Sequence, residues 1–386
     1  MTSFFTHPLW SVGFRPFFAL ALLCGAVLPV VWVLVFSAIL PSPTGLSTLQ
    51  WHAHEMFFGF GWAVLGGFLL TATKNWVQIR GYHGPALVLL VTAWVLERGV
   101  LAFGGALPKW IFVIGCNFFL AIIVVMLLHS LIRYRHQDNF DDNYFFLIAL
   151  PFFLLAKNLL LSPISFEAGV EMTLALFRLI FLVMLERTLT GFMQAAFGVA
   201  IWRDRRLDLS IKGLAAVLVL APWMPHPLPV VLSLLLAALL MWRFVLWKPQ
   251  IAFRRIDVGI MYYGYLGIVL QLLLVSFDQT LGPAWVGSLS VHGFTFGVMA
   301  LIIPAMVIRV SKGHTGRPVN FDALDKLALY LMLLGFVMRI LLPQFAPGEY
   351  LVWVAGAALC WLVCFSLLAW RYLPFYFKPR ADGRPF

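Results

Sequence analysis

The chain has 386 residues, of which 62% are hydrophobic and only 11% charged, with a formal net charge of +11. A soluble protein carries roughly 25% charged residues, so the composition excludes a string of soluble domains and points to a chain that crosses a membrane many times. The positive excess then marks a cytoplasmic face rather than a nucleic-acid partner.

Apolar runs of about 18 to 25 residues predict spanning helices. In chain order they fall near 16–40, 52–73, 84–103, 109–132, 143–161, 170–195, 209–225, 227–247, 257–277, 284–309, 324–343 and 349–373. The fold class is therefore all-α, a polytopic membrane protein of about twelve helices forming a single transmembrane domain over 1–386. Two six-helix halves, about 1–196 and 197–386, would fit the layout. The seventh run is the least regular, because Pro222, Pro225, Pro227 and Pro229 crowd its exit. They read as a tight turn between two spans. The first run is too long for a cleavable signal and stays as a span. Cys24, Cys116, Cys360 and Cys364 all sit inside apolar runs, where disulfides are not expected.

Orientation follows from the loops. Arg15, Lys74, Arg80, Arg133, Arg135, Arg203, Lys248, Arg254, Lys312, Arg317, Lys378 and Arg380 fall at one set of ends, and Lys109 alone at the other. This bias places both termini in the cytoplasm.

Topology gives each polar group a depth. His52, His54, Glu55, Glu97, Arg98, Lys157, Arg178 and His292 come from five predicted spans and fall in one outer layer. Intramembrane ionisable groups are costly and mark function by default. His52, Glu55 and Met56 share a helix face, whereas His54 lies about 200° from His52. If the helix is already formed at Trp51, the two imidazoles serve different sites. A second set collects on the cytoplasmic side: His7, Arg15, Glu186, Arg187, Arg309, His314 and Arg317. The turn GHTGRP, from Gly313, joins a Gly-flanked histidine to a basic residue just past a helix end, an arrangement suited to an anion.

The segments HPLWSVGFRPFF near the start, WHAHEMFFGF followed by GGFLLTATKNW, and the tenth span ending in GHTGRP resemble the NnrS family, bacterial inner-membrane proteins tied to the nitric oxide response. The resemblance implies haem and copper as cofactors, here haem b. It carries onto His52, His54, Glu55, Arg309, His314, Gly316 and Arg317 by motif, and onto His292 with Thr295 by position. Imidazole suits haem iron and copper. His52, His54 and His292 are thus the expected metal ligands, which holds which being open, with His314 and His7 as weaker candidates on the cytoplasmic side. Glu55 and Glu97 are expected to act on protons or behind an imidazole. Arg98, Arg178, Arg309 and Arg317 are the expected partners of cofactor carboxylates. The function implied is nitric oxide detoxification or reduction by an oxidoreductase in contact with membrane lipid and an unidentified electron donor, with no nucleic acid. The buried charges also fit a secondary transporter of a small solute, and a nitric oxide sensor or reservoir would share the same ligands.

Overall fold

A computed structural model of the chain describes residues 4–384. Helices and turns make up the described residues, with no strand among them. Eleven helices are long and apolar enough to cross a membrane. In chain order, with one further helix, they are α1 (Phe14–Phe36), α2 (Thr48–Trp76), α3 (Pro85–Phe103), α4 (Lys109–Arg133), α5 (Tyr144–Leu161), α6 (Phe166–Phe197), α7 (Arg205–Val217), α8 (Leu228–Leu246), α9 (Ile256–Leu281), α10 (Leu289–Gly313), α11 (Ala323–Phe345) and α12 (Tyr350–Tyr376).

The further helix is α7, where the sequence was least regular. Its first turns carry Arg205, Arg206, Asp208 and Lys212, too much charge for a simple apolar span. With the segment that follows, it is nonetheless long enough to cross. The 13 residues of α7 continue into a 3₁₀ segment, Leu218–Trp223, of 6 residues. Rises of 1.5 and 2.0 Å per residue give about 31 Å, the thickness of a hydrocarbon core. Asp208 at the start of α7 takes a hydrogen bond from Arg243 at the end of α8, so the two helices run antiparallel. The two chain ends agree. Arg15 Nη1 at the start of α1 donates to the carbonyls of Tyr376 and Lys378 at the end of α12. Ends on one face call for an even number of crossings, which α7 would bring to twelve.

The helices group into two compact units that interleave along the chain. One holds the residues up to Val170, Val307–Val319 and the segment from Phe365 onward; the other holds Glu171–Met306 and Asn320–Cys364. In the first, α1 and α2 approach closely because Gly13 and Gly67 carry no side chain: a Cβ on Gly67 would sit 2.7 Å from Phe17 Cβ. In the second, Gly267 of α9 meets Gly297 of α10 so tightly that any Cβ there would strike the Gly297 backbone. Small residues at such crossings let van der Waals packing hold helices together where lipid offers no hydrophobic drive. The four cysteines are free thiols.

Three of the spans contain a π-helical turn: Glu55–Gly61 in α2, Thr295–Met299 in α10 and Val337–Leu341 in α11. Such turns add one residue to the helical repeat and concentrate at functional sites.

Candidate functional site

The helix α2 starts at Thr48, where Ser47 and Gln50 form a reciprocal capping box. It is therefore fully formed at Trp51, and His52 and His54 face different neighbours. The His52 ring stacks on Trp32 of α1, with centroids 3.9 Å apart and planes 19° from parallel. His54 is wholly buried and faces the other way.

Around His54 lies a closed set of ionisable side chains in the first unit. Nε2 of His54 is 3.3 Å from Glu97 Oε1, and Nδ1 is 4.0 Å from Glu55 Oε1. Glu97 also pairs with the Lys157 ammonium and, at 3.4 Å, with Arg98 Nη2. Arg98 Nε in turn lies 3.2 Å from Glu55 Oε1. Two acidic and two basic side chains thus surround one imidazole and balance in formal charge. Neutrality is what permits this burial, since an unpaired charge taken out of water costs several kcal/mol. Gly59, on the π turn, makes the room: a Cβ there would lie 2.7 Å from Glu55 Oε2 and 2.8 Å from Arg98 Nη1. Trp94 closes the set, donating Nε1–H to the Gly59 carbonyl at 3.2 Å and lying under the Arg98 guanidinium at 4.7 Å.

In the second unit His292 stands beside Ser288 on α10. Its Nδ1 lies 2.9 Å from the Ser288 carbonyl, so Nδ1 carries the proton and the lone pair sits on Nε2. Arg339, on the π turn of α11, approaches the ring nitrogens at 3.3 Å and donates to the Tyr350 hydroxyl at 3.1 Å. Arg178 lies elsewhere, buried, with Nη1 donating to Gln271 Oε1 at 2.7 Å.

Also in the second unit, Glu186 is clamped by Arg203 and Lys212, and Asp208 by Arg203 and Arg243. Arg243 Nε also donates to Tyr265 Oη at 3.1 Å. In the first unit His314 packs on Phe14 with centroids 5.6 Å apart, and burial, with Lys74 and Arg380 nearby, pushes its pKa down to about 4. Arg317 donates to Thr315 and lies over the Phe375 ring at 3.8 Å. His7 caps its own turn, its Nδ1 accepting from Leu9 N–H. Arg309 is half-buried in α10, one turn before Gly313.

The members of the expected layer divide between the two units. Of its members, His54, Glu55, Glu97, Arg98 and Lys157 come together, while His52, His292 and Arg178 each have other neighbours. Arg339, Tyr350, Gln271 and Trp94 were not singled out from the sequence. Arg339 could have been, being a cation inside the apolar run MLLGFVMRILL, which the intramembrane rule flags. Among the described residues no three His, Cys, Asp or Glu side chains are placed to share one metal ion.

Eleven helices able to span a membrane, with buried clusters of paired ionisable groups between them, define a polytopic membrane protein. The model of the NnrS protein family matches residues 8–380. The chain belongs to the NnrS family and is a membrane protein of the nitric oxide response. No curated protein matches it.

Proposed function

We propose that the protein is a haem protein of the bacterial cytoplasmic membrane that takes up and detoxifies nitric oxide in the outer half of the bilayer. The observation that carries this reading is His292. Its Nδ1–H is committed to a backbone carbonyl, the arrangement that fixes the tautomer and orientation of a metal-binding imidazole. Arg339, held by Tyr350 beside the ring, is the cation that a haem propionate would pair with. These residues fit the group once Arg339, 3.3 Å from both ring nitrogens, turns from the ring to a carboxylate: His292 would then hold the iron. Haem iron supplies a coordination position for nitric oxide and one-electron chemistry. The apolar helices around it suit a neutral diatomic that arrives through lipid.

A copper ion held by His52, His54 and His292 together does not fit. His52 and His54 face apart, and both ring nitrogens of His54 look at carboxylates. The Glu55–His54–Glu97 chain instead holds acid and base groups side by side, and its residues hold or pass protons in the outer half of the membrane. Reduction of nitric oxide consumes one electron and one proton per molecule, so a buried proton store serves turnover.

An absorption spectrum of detergent-purified protein, oxidised and dithionite-reduced, with metal analysis on the same sample, tests this. A b-type Soret band with about one haem per chain, lost in His292→Ala and kept in His54→Ala, is the expected result. Colourless protein from cells supplied with haem overturns it. Haem retained in His292→Ala moves the ligand elsewhere and refutes this assignment.

A further inference from the structure

The cytoplasmic end of the first unit gathers positive charge that the haem reading does not use. Arg15 is 3% exposed, and its Nη1 is spent on the carbonyls of Pro8, Tyr376 and Lys378. Its Nε is buried with no hydrogen-bond partner. Arg380 and Arg317 are both within Coulombic range of Arg15, and Lys74 is within range of Arg380 and His314. Lys74 and Arg380 therefore flank His314, Arg15 and Arg317 adjoin Arg380, and Asp382 is gripped by Arg380 at 2.6 Å. Positive charge is in excess among these groups.

The loop bias that orients membrane proteins accounts for cations in water at the inner surface. It does not account for their convergence from four chain segments, or for the burial of Arg15. Like charges brought together repel, and the repulsion grows as water is withdrawn. The backbone holds them there regardless. Ala381 N–H bonds the Thr315 carbonyl at 2.9 Å and Arg380 bonds the His314 carbonyl at 2.9 Å, so the tail is strapped onto the GHTGRP turn. Gly316 permits this at φ +77°, where a Cβ would meet Asp382 at 2.6 Å. Arg317, flat over Phe375, presents the planar donor edge that suits phosphate oxygens.

We propose that Arg15, Lys74, His314, Arg317 and Arg380 form a phosphate-binding site at the cytoplasmic end of the protein. The phosphate group belongs to a soluble phosphoryl compound or to an anionic phospholipid headgroup. The site is separate from the haem reading and stands or falls without it.

The test uses full-length protein in nanodiscs of phosphatidylcholine alone or with phosphatidylglycerol, at fixed ionic strength. Inorganic pyrophosphate is the soluble probe, read by calorimetric titration, and the unfolding temperature reads the lipid. The double variant Lys74→Gln/Arg317→Gln removes two cations and leaves the structural Arg15 in place; Lys109→Gln, on the opposite face, is the control. Pyrophosphate binding that weakens at least tenfold in the double variant, and not in the control, identifies a soluble phosphoryl ligand. No pyrophosphate binding, but a stabilisation by phosphatidylglycerol that the double variant loses, identifies the headgroup. If neither probe distinguishes wild type from the double variant, the site does not exist. Arg317→Lys, which keeps the charge and the fold, should retain part of the binding; complete loss there with the charge intact would show that planar geometry governs recognition, which also supports the site.

Discussion

Replacing Lys157 by Met removes one cation from a network that is otherwise balanced. Lys157 and Glu97 are both 0% exposed, so no water reaches the carboxylate left behind. Arg98 then faces Glu55 and Glu97 alone, at 3.2 and 3.4 Å, and one negative charge is in excess. Breaking one partner of a buried pair costs about 3–5 kcal/mol, because the survivor keeps its desolvation penalty and loses its compensation. Glu97→Gln should cost a similar amount with the opposite sign of excess charge. The double variant Lys157→Met/Glu97→Gln restores neutrality, with Arg98 and Glu55 as the remaining pair and the new side-chain amide still able to bond His54. It should therefore be more stable than either single variant, giving a coupling of roughly 3 kcal/mol or more. Reversible denaturant unfolding in mixed micelles, followed by Trp fluorescence, measures all four corners of the cycle. Additive losses, with the double variant worse than both singles, would refute the claim that charge balance governs this cluster.

Other sites give sharper or smaller effects. Gly59→Ala puts a methyl group 2.7 Å from Glu55 Oε2 and should cost about 1–3 kcal/mol by displacing Arg98, visible as a lowered unfolding temperature. Asp208→Asn loosens Arg203 and Arg243 together and should cost about 3 kcal/mol; an unchanged unfolding midpoint would mean that α7 is held by packing alone. Tyr350→Phe removes one hydrogen bond from Arg339 and should cost about 1 kcal/mol while sparing any haem bound at His292. His314 has a folded pKa of about 4, below its unfolded value of 6.5, so the unfolded chain binds this proton more readily. Its contribution to stability is whole above pH 6.5 and is lost as pH falls through 4. The unfolding temperature should drop over that window, and His314→Gln should flatten the drop.

Much of this architecture is legible in the residues because lipid leaves the chain few options. Backbone groups must pair within each segment, so every apolar run of sufficient length becomes a helix. The predicted runs at 109–132 and 143–161 match α4 and α5 to within a residue at each end. Depth was legible as well: counting residues from a helix end places His54, Glu97 and Lys157 at one level, and they meet there. Azimuth was less so. His292 and Arg178, expected at the same level, belong to the second unit, where each has its own partners. The crossing of α7 was half-legible, because its charges look forbidding until Asp208 and Lys212 are seen to have partners on α6 and α8.

The π turns were wholly illegible, and they decide which side chains face one another. A π turn adds one residue, and so about 100° of rotation, between the segments it joins. In α2 it lies between His52 and His54 on one side and the Gly-lined packing face from Trp62 on the other. Restoring an α-helical repeat by deleting Met56, which is not among the paired ionisable groups, would rotate the first turns about 100° relative to the rest of α2. Since α2 is held by Gly67 against Phe17, the rotation would fall on the N-terminal end, where it would also break the Gln50 bonds to Leu160 and Leu161 and the His52–Trp32 stack. His54 and Glu55 would both turn away, leaving Glu97 with Lys157 and Arg98, while the packing of Trp62–Trp76 would be unchanged. The deletion should thus lower stability by more than His54→Ala, and adding His54→Ala to it should cost little more. A deletion variant that folds with undiminished stability, or one whose loss adds fully to that of His54→Ala, would show that the π turn does not exist to aim His54.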